Sequence, residues 1–500
     1  MDMILISMCL TTLLAFLFLK PLLIKRANKT NLNPPPSPWR FPIIGNLHQL
    51  SLNPHRSLHS LSLHYGPLML LHYGRVPILV VSSAEYAHEV MKTHDIKFSN
   101  RPKSRVAEKL FNGGRDLALA PYGEYWRQFK SICAMNLLSN KTVRSFGNIR
   151  EEEINGMMGK LEKANSSSSP VNLSEILMTL TNDVMTRVVL GRKYSSEEGG
   201  KNSKNIVRRL MELMGAFPIG EYIPSLAWID KIRGFDKKLE RVKNEIQSFL
   251  EKVVEEHVDA DENRSDFTDM LLSIQNDKTT PIELDKTALK NLLLDMLFGG
   301  ASTTFTLIEW TMTELMRHPE CMKKLQDEIR SVSKNSSYVS EKEVVHMNYL
   351  NFVIKEVLRL HPSGPLIPRL LSEDVKMKGY DIAGGTQVLI NVWAIQRDIS
   401  TWGADAEEFR PERHLDSLVD FQGKNFKYFP FGSGRRQCPG IGFALALAEL
   451  TIANLVNQFD WRVKIGPFGD DKPDLAEANG IDVCRKFPLI VYPHSNLFSM

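Results

Sequence analysis

Apolar residues fill the chain from Met3 to Ile24 with only Lys20 and Pro21 to interrupt them. As a helix that stretch rises ~33 Å, enough to cross a hydrocarbon core of ~30 Å. Lys25, Arg26 and Lys29 follow it, which puts the remainder of the chain on the cytosolic side by the positive-inside rule. A cleaved signal peptide is the competing reading, but no basic n-region or small-residue cleavage site is evident. Residues 3–24 are therefore expected to be a transmembrane signal anchor. Basic residues and then Pro34, Pro35, Pro36 and Pro38 follow over 25–40, predicting a stiff extended hinge that holds the body off the bilayer.

Beyond the hinge, PLMLLHY and VPILVVS read as a strand pair turned at Gly74-Arg75. Ser82 and Glu85 have the spacing of a capping box opening a helix through Thr93. From about 125 to 362 the apolar spacing is helical, with Pro170, Pro218, Pro224 and Pro281 as punctuation. Asn165–Pro170 and Ser195–Asn205 read as loops. The longest helix is expected from about Leu284 to Arg317, closed by His318-Pro319, and a second from about Tyr349 to Leu360. Strands return over Lys376–Ile382 and Thr386–Val392 about a Gly384-Gly385 turn, and a last helix spans about Ile441 to Phe459. No repeat or linker divides 41–500. The expected fold is one large, mainly α domain with a smaller β part.

Composition narrows the function classes. With 43% hydrophobic and 24% charged residues in 500, the chain is neither disordered nor fibrous. The net charge of +4 is spread without a basic block, so no nucleic-acid partner is expected. Its 5 cysteines include no C-x-x-C pair, which excludes zinc ribbons and a disulfide framework. The sequons at Asn140, Asn165, Asn172, Asn263 and Asn335 fall on the cytosolic side and read as chance matches.

The segment Phe431-Gly-Ser-Gly-Arg-Arg-Gln-Cys438-Pro-Gly440 carries the most specific chemistry. A dinucleotide fingerprint fails because its third glycine is Gln437, and a Walker loop fails for want of Gly-Lys-Ser/Thr. What remains is a thiol on a glycine-rich loop just before a helix. Helix N–H groups with Arg435 and Arg436 would favour its thiolate, as nucleophile or as axial metal ligand. A buried structural cysteine is the plainer alternative. Elsewhere, Glu356 and Arg359 are spaced to share a helix face and pair. Trp126 and Lys130 lie one turn apart, with the basic face of an ordinary amphipathic helix as the alternative. Gly299 and Gly300 sit inside the longest helix, where each costs ~1 kcal/mol relative to alanine and so implies close packing or a local opening.

These segments together resemble the cytochrome P-450 (haem-thiolate) superfamily. Phe431, Gly434, Arg436, Cys438 and Gly440 match its F-x-x-G-x-R-x-C-x-G signature. The resemblance implies haem b as cofactor, Cys438 as proximal iron ligand and Arg436 as a propionate contact. Trp126 and Lys130, in a W-R-x-x-x-K element, and Arg369 would be further propionate contacts. Glu356-x-x-Arg359 and Pro411-Glu412-Arg413-His414 match the family's structural ion-pair network. Arg413 is its third member, and His414 stands where phenylalanine is usual. Phe298-Gly-Gly300-Ala-Ser302-Thr303-Thr304 aligns with A/G-G-x-D/E-T-T/S. Gly300 would open an oxygen pocket and Thr303 supply the hydroxyl, while Ser302 replaces the usual acid. Pro36-Ser-Pro-Trp-Arg-Phe-Pro-Ile-Ile-Gly-Asn46 and Ala120-Pro-Tyr-Gly-Glu-Tyr-Trp-Arg127 are typical of plant microsomal A-type members devoted to specialised metabolism.

By that resemblance the chain is an endoplasmic-reticulum enzyme with a cytosolic catalytic domain. It inserts one oxygen atom from O2 into a small hydrophobic or aromatic molecule, using NADPH electrons from a flavoprotein reductase. Lys130, Lys424, Lys427 and Arg435 are candidates for the reductase-facing surface, against the alternative of a merely solvated face. Substrate contacts are expected within 104–119, 214–222, 293–304, 364–369 and 479–481, with Phe111, Phe298, Leu366 and Ile367 as wall residues. Because some relatives with serine at position 302 dehydrate aldoximes, a haem dehydratase on the same fold is the second reading. A non-catalytic haem- or lipid-binding membrane protein is the third.

Overall fold

A computed structural model describes residues 32–194, 200–259, 265–277, 284–463 and 472–495. The anchor and most of the basic stretch after it lie outside the described residues. The proline-rich segment, from residue 32 on, lies against the body. Pro35 and Pro38 are buried, Leu70 N–H donates to Pro36 O at 2.8 Å, and Asn33 N–H donates to Asp381 at 2.9 Å.

Among the described residues nine strands form, β1 (Leu68–Tyr73), β2 (Val76–Val81), β3 (Val171–Asn172), β4 (Leu366–Leu370), β5 (Val375–Met377), β6 (Tyr380–Ile382), β7 (Gln387–Asn391), β8 (Phe459–Val463) and β9 (Ile490–Ser495). The first sheet has the order β1-β2-β7-β4, with β2 and β7 parallel and the other pairs antiparallel. The β1–β2 hairpin turns at Gly74-Arg75 as the alternation predicts. The expected hairpin about Gly384-Gly385 does not form. Val375–Met377 and Tyr380–Ile382 pair with each other, and Gln387–Asn391 joins the large sheet instead. Three-residue strands satisfy each other across Lys378-Gly379, both at positive φ, leaving β7 free to bridge two distant strands. The helix cap also moves by one residue. Ser83, not Ser82, accepts from Tyr86 N–H, while Glu85 is drawn away to an ion pair with Lys378.

Five helices build the site, α1 (Glu124–Ile132), α2 (Leu173–Leu190), α3 (Lys286–Arg317), α4 (Asn348–Leu360) and α5 (Ile441–Gln458). Asp285 caps α3 by accepting from Ala288 N–H at 2.7 Å, and Pro319 prevents its continuation past His318. The helix is unbroken for 32 residues and buried on most of its circumference, because α2, α4 and α5 all pack on it. α3 and α5 are apolar enough to cross a membrane by composition, but both are mostly buried within the protein. Part of the Ser195–Asn205 stretch is helical, since a helix starts at Gly200; residues 195–199 lie outside the described residues.

Candidate active site

A cavity of about 390 Å³ lies between α3 and the loop leading into α5. Phe298, Gly299, Gly300, Thr303 and Thr304 form one wall, and Phe431, Gly432, Cys438 and Gly440 form the opposite one. Leu366, Ile367 and Pro368 of β4 close a side. The spacing argument thus brings the thiol and the threonine to one space from 135 positions apart in the chain.

Backbone geometry presents the thiol. Gly434 adopts φ +70°, and a Cβ there would strike Met91 O, so only glycine fits. Cys438 N–H donates to Phe431 O at 3.0 Å, folding the loop back on itself. The Cys438 side chain is exposed and lines the cavity. Burial raises its thiol pKa, and the Gly440 N–H and the Lys130 charge offset that only in part. The two neighbouring arginines are not its partners, contrary to expectation. Arg435 pairs with Asp95 at 2.8 Å and meets Tyr122, while Arg436 donates to Ser99 O, Leu117 O and Ala120 O.

Four cations gather at one end. Arg436 lies 4.2 Å from the Trp126 ring centroid, Lys130 extends from the next turn of α1, and Arg101 and Arg369 complete the group. Burial lowers the Arg101 pKa to about 10 and the Arg436 pKa to about 9, and holds that of Arg369 well below its ordinary value. Arg369 is almost fully buried, and its Nη2 has no hydrogen-bond partner. Desolvated cations with an orphaned donor fit an anionic group, and carboxylates such as haem propionates answer that need. Trp126 Nε1–H donates to Leu117 O at 2.9 Å, and Lys130 donates to Arg435 O, so protein carbonyls satisfy both of these expected contacts. Arg101 went unnoticed in the sequence, where nothing but its later position beside the cavity separates it from other arginines. Asp295, within the expected 293–304 segment, is an acidic residue in the cavity wall; its carboxylate accepts from Leu117 N–H at 2.6 Å.

On α3 the two glycines do different things. A Cβ on Gly300 would meet the tip of the Met185 thioether of α2, which would have to shift, so this glycine gives Met185 its place as well as lining the cavity. A Cβ on Gly299 would meet nothing within 4 Å, so Gly299 is the residue that leaves open space. Thr303 Oγ1–H donates to Gly299 O at 2.6 Å. Ser302 points elsewhere, donating to the carboxylate of Asp482. Of the expected wall residues, Phe298, Leu366 and Ile367 line the cavity, whereas Phe111 is packed in the core. No described residue of 214–222 or 479–481 lines it.

Behind the cavity, Glu356 collects a buried cluster. Arg359 reaches both of its oxygens at 2.9 Å and Arg413 reaches Oε1 at 2.9 Å. Arg359 also donates to Gln396 O, Ala406 O and Glu408 O, which ties α4 to the segment before the cysteine loop.

Residues 34–479 match the family model described as cytochrome P-450. The chain belongs to the cytochrome P-450 family, whose members bind haem. It is 63% identical over 498 residues to an indoleacetaldoxime dehydratase of Arabidopsis thaliana, covering 99% of this chain and 100% of that one. It is 62% identical to cytochrome P-450 71A14 of the same plant, covering 99% of each. A zebra fish cytochrome P-450 solved with abiraterone superposes with a TM-score of 0.75 at 24% identity, over 90% of this chain and 100% of that one, which supports the fold. Taken with the family, these relatives make the chain an A-type plant oxidoreductase of the haem-thiolate monooxygenase class.

Proposed function

We propose that the protein is a membrane-associated enzyme of the endoplasmic reticulum that hydroxylates a small hydrophobic or aromatic molecule. The overall reaction takes substrate, O2, NADPH and a proton to hydroxylated product, NADP+ and water. Electrons arrive through a flavoprotein reductase. One observation carries the reading: Cys438 and Thr303 face each other across a single cavity whose other walls are largely apolar.

In this reading Cys438 holds haem iron, and the cations Arg101, Arg369, Arg436 and Lys130 balance the propionates. When bound there, haem supplies oxygen activation, which a thiolate ligand favours by pushing electron density toward O–O cleavage. Phe298, Leu366 and Ile367 desolvate and orient the substrate. Thr303 keeps its proton on Gly299 O and offers its lone pairs to the cavity. Glu356, Arg359 and Arg413 are structural.

A second reading has one specific observation in its favour. Ser302 occupies the usual acid position, and one relative of 63% identity is named for aldoxime dehydration. That reaction releases water from an aldoxime to leave a nitrile and consumes neither O2 nor NADPH. Product formation with matching NADPH and oxygen consumption is the expected result, and product formed under argon would replace the first reading with the second. Cys438→Ala should abolish the absorption band of the reduced, carbon-monoxide-bound protein; a retained band would remove the thiolate assignment.

A further inference from the structure

The segment from Ala478 to Arg485 is pinned along α3 by its backbone. Trp310 Nε1–H donates to Val483 O at 2.8 Å, Val483 N–H donates to Ser363 O at 3.0 Å, and Arg485 N–H donates to Glu309 at 3.3 Å. Between these anchors Asp482 turns its carboxyl onto the helix. It accepts from the Ser302 hydroxyl, while the Thr306 hydroxyl, at i+4 on the same face, donates to Ser302 O at 3.0 Å. No cation pairs with it among the described residues.

Ser302 is flanked on the helix by Gly299 and Thr303, both of which line the cavity. Gly299 lies three residues before Ser302 and four before Thr303, beneath both on the helix surface. Its lack of a side chain leaves space that nothing else fills within 4 Å, in the cavity that Thr303 also lines. A polar-lined opening of this kind suits water.

We propose that Asp482 and Ser302 form a proton relay into the cavity, with Asp482 standing in for the acid absent from position 302. The Ser302 hydroxyl donates to Asp482 while the carboxylate is charged; when Asp482 is protonated the hydroxyl turns, accepts the carboxyl proton at Oγ and gives its own to a water over Gly299, at the Thr303 edge. Solvent then reprotonates the carboxylate, and no electrons move. The proposal rests on the monooxygenase reading, because splitting O2 into product oxygen and water consumes two protons per turnover. Burial supports it by raising the Asp482 pKa, against the lowering effect of the Ser302 hydrogen bond. Facing Asp482 are Glu309 of α3, itself raised by burial, and Cys484 of its own loop, while the Arg485 guanidinium is engaged by Asp474 at 2.9 Å; variants at Asp482 separate its titration from theirs.

The test uses the full-length holoprotein with a flavoprotein reductase, reading substrate-free NADPH oxidation in H2O and D2O across pH. Asp482→Asn and Ser302→Ala should each slow it by ~10²-fold, at the low end for a positioned acid. Both should enlarge the solvent isotope effect, the double variant should be no slower than either, and Asp482→Glu should restore most of the rate. Independently of turnover, infrared titration should show a protonated-carboxyl band that Asp482→Asn removes. In Ser302→Ala that band should persist to higher pH, because the hydroxyl stabilises the charged form. Should Asp482→Asn lose haem, Ser302→Ala carries the comparison, since the Trp310 anchor remains. Oxidation by the wild type left unchanged in rate and isotope effect by these variants overturns the relay alone. A wild type that consumes neither NADPH nor oxygen overturns the monooxygenase reading and the relay with it.

Discussion

His414 Nε2 lies 2.9 Å from Glu356 Oε2, and neither side chain is exposed to solvent. The histidine that stands where the family usually has phenylalanine is therefore a working member of the ion-pair cluster, alongside Arg359 and Arg413. Burial alone would raise the Glu356 pKa, but hydrogen bonds from Arg359 and His414 outweigh it and hold the carboxyl well below the usual carboxylate range. Glu356→Ala leaves two buried arginines without their anion, and breaking such a pair costs ~3–5 kcal/mol. Loss of haem incorporation and a lower melting temperature are expected. His414→Phe removes one hydrogen bond to a charged acceptor, for a loss of about 1.5–3 kcal/mol. Full haem content and unchanged melting in both variants would contradict the structural role.

Glu477 makes the acid limb of stability testable. Burial opposes its charge, yet hydrogen bonds from His55 and Arg56 bring its pKa down to about 2. A carboxylate depressed in the folded state stabilises fully above its unfolded value of ~4.3, and the contribution fades as pH falls through the folded value. Glu477→Gln should be less stable than wild type at pH 6 and should lose less stability between pH ~4.3 and ~2. Parallel denaturation curves at several pH values would check it; an unchanged slope would refute the assignment.

The adjacent glycines of α3 should respond with opposite signs. Gly300→Ala forces a methyl against Met185, a clash of the overpacking kind worth ~1–3 kcal/mol, and Met185→Ala should recover part of that loss. Gly299→Ala meets open space and gains up to ~1 kcal/mol of helix propensity, while narrowing the cavity. Thermal melting of the two single variants and the Met185 double variant decides the matter. Equal effects at both positions would dissolve the distinction.

Lys424 and Lys427, in the segment before the cysteine loop, are exposed, whereas Lys130 lines the cavity and Arg435 is taken by Asp95. If the reductase docks there, reversing both lysines to glutamate should raise the reductase concentration for half-maximal rate. The effect should be largest at low salt, where screening is weakest. Unchanged dependence on reductase would make the two lysines ordinary solvated charges.

The chain revealed its long helices, the β1–β2 hairpin, the cysteine loop and the ion-pair motif because each rests on local spacing or on a dense motif. Contacts set by distant segments did not show. Nothing near Ser302 announces Asp482, 180 residues away, and nothing around Arg101 marks it as part of a buried cation group. His414 could be seen as a departure, but its bond to Glu356 needed the turn of chain that brings Pro411–His414 against α4. Gly384-Gly385 looked like a hairpin turn because local signals cannot tell which strand a β-strand will choose.

The cysteine loop has a consequence for kinetics. Its backbone is closed by Cys438 N–H on Phe431 O, and Ser433 is tied to Gly423 O at 2.6 Å. Arg435 and Arg436 fasten its middle to Asp95 and to three carbonyls. Every one of these bonds is made within the polypeptide, so the entropy of ordering the loop is lost when the chain folds. A group that binds the thiol then meets a fixed anchorage and loses little further freedom in doing so. If Cys438 holds the prosthetic group, stiffening the loop further should change the lifetime of that group little, because little loop freedom is left to lose.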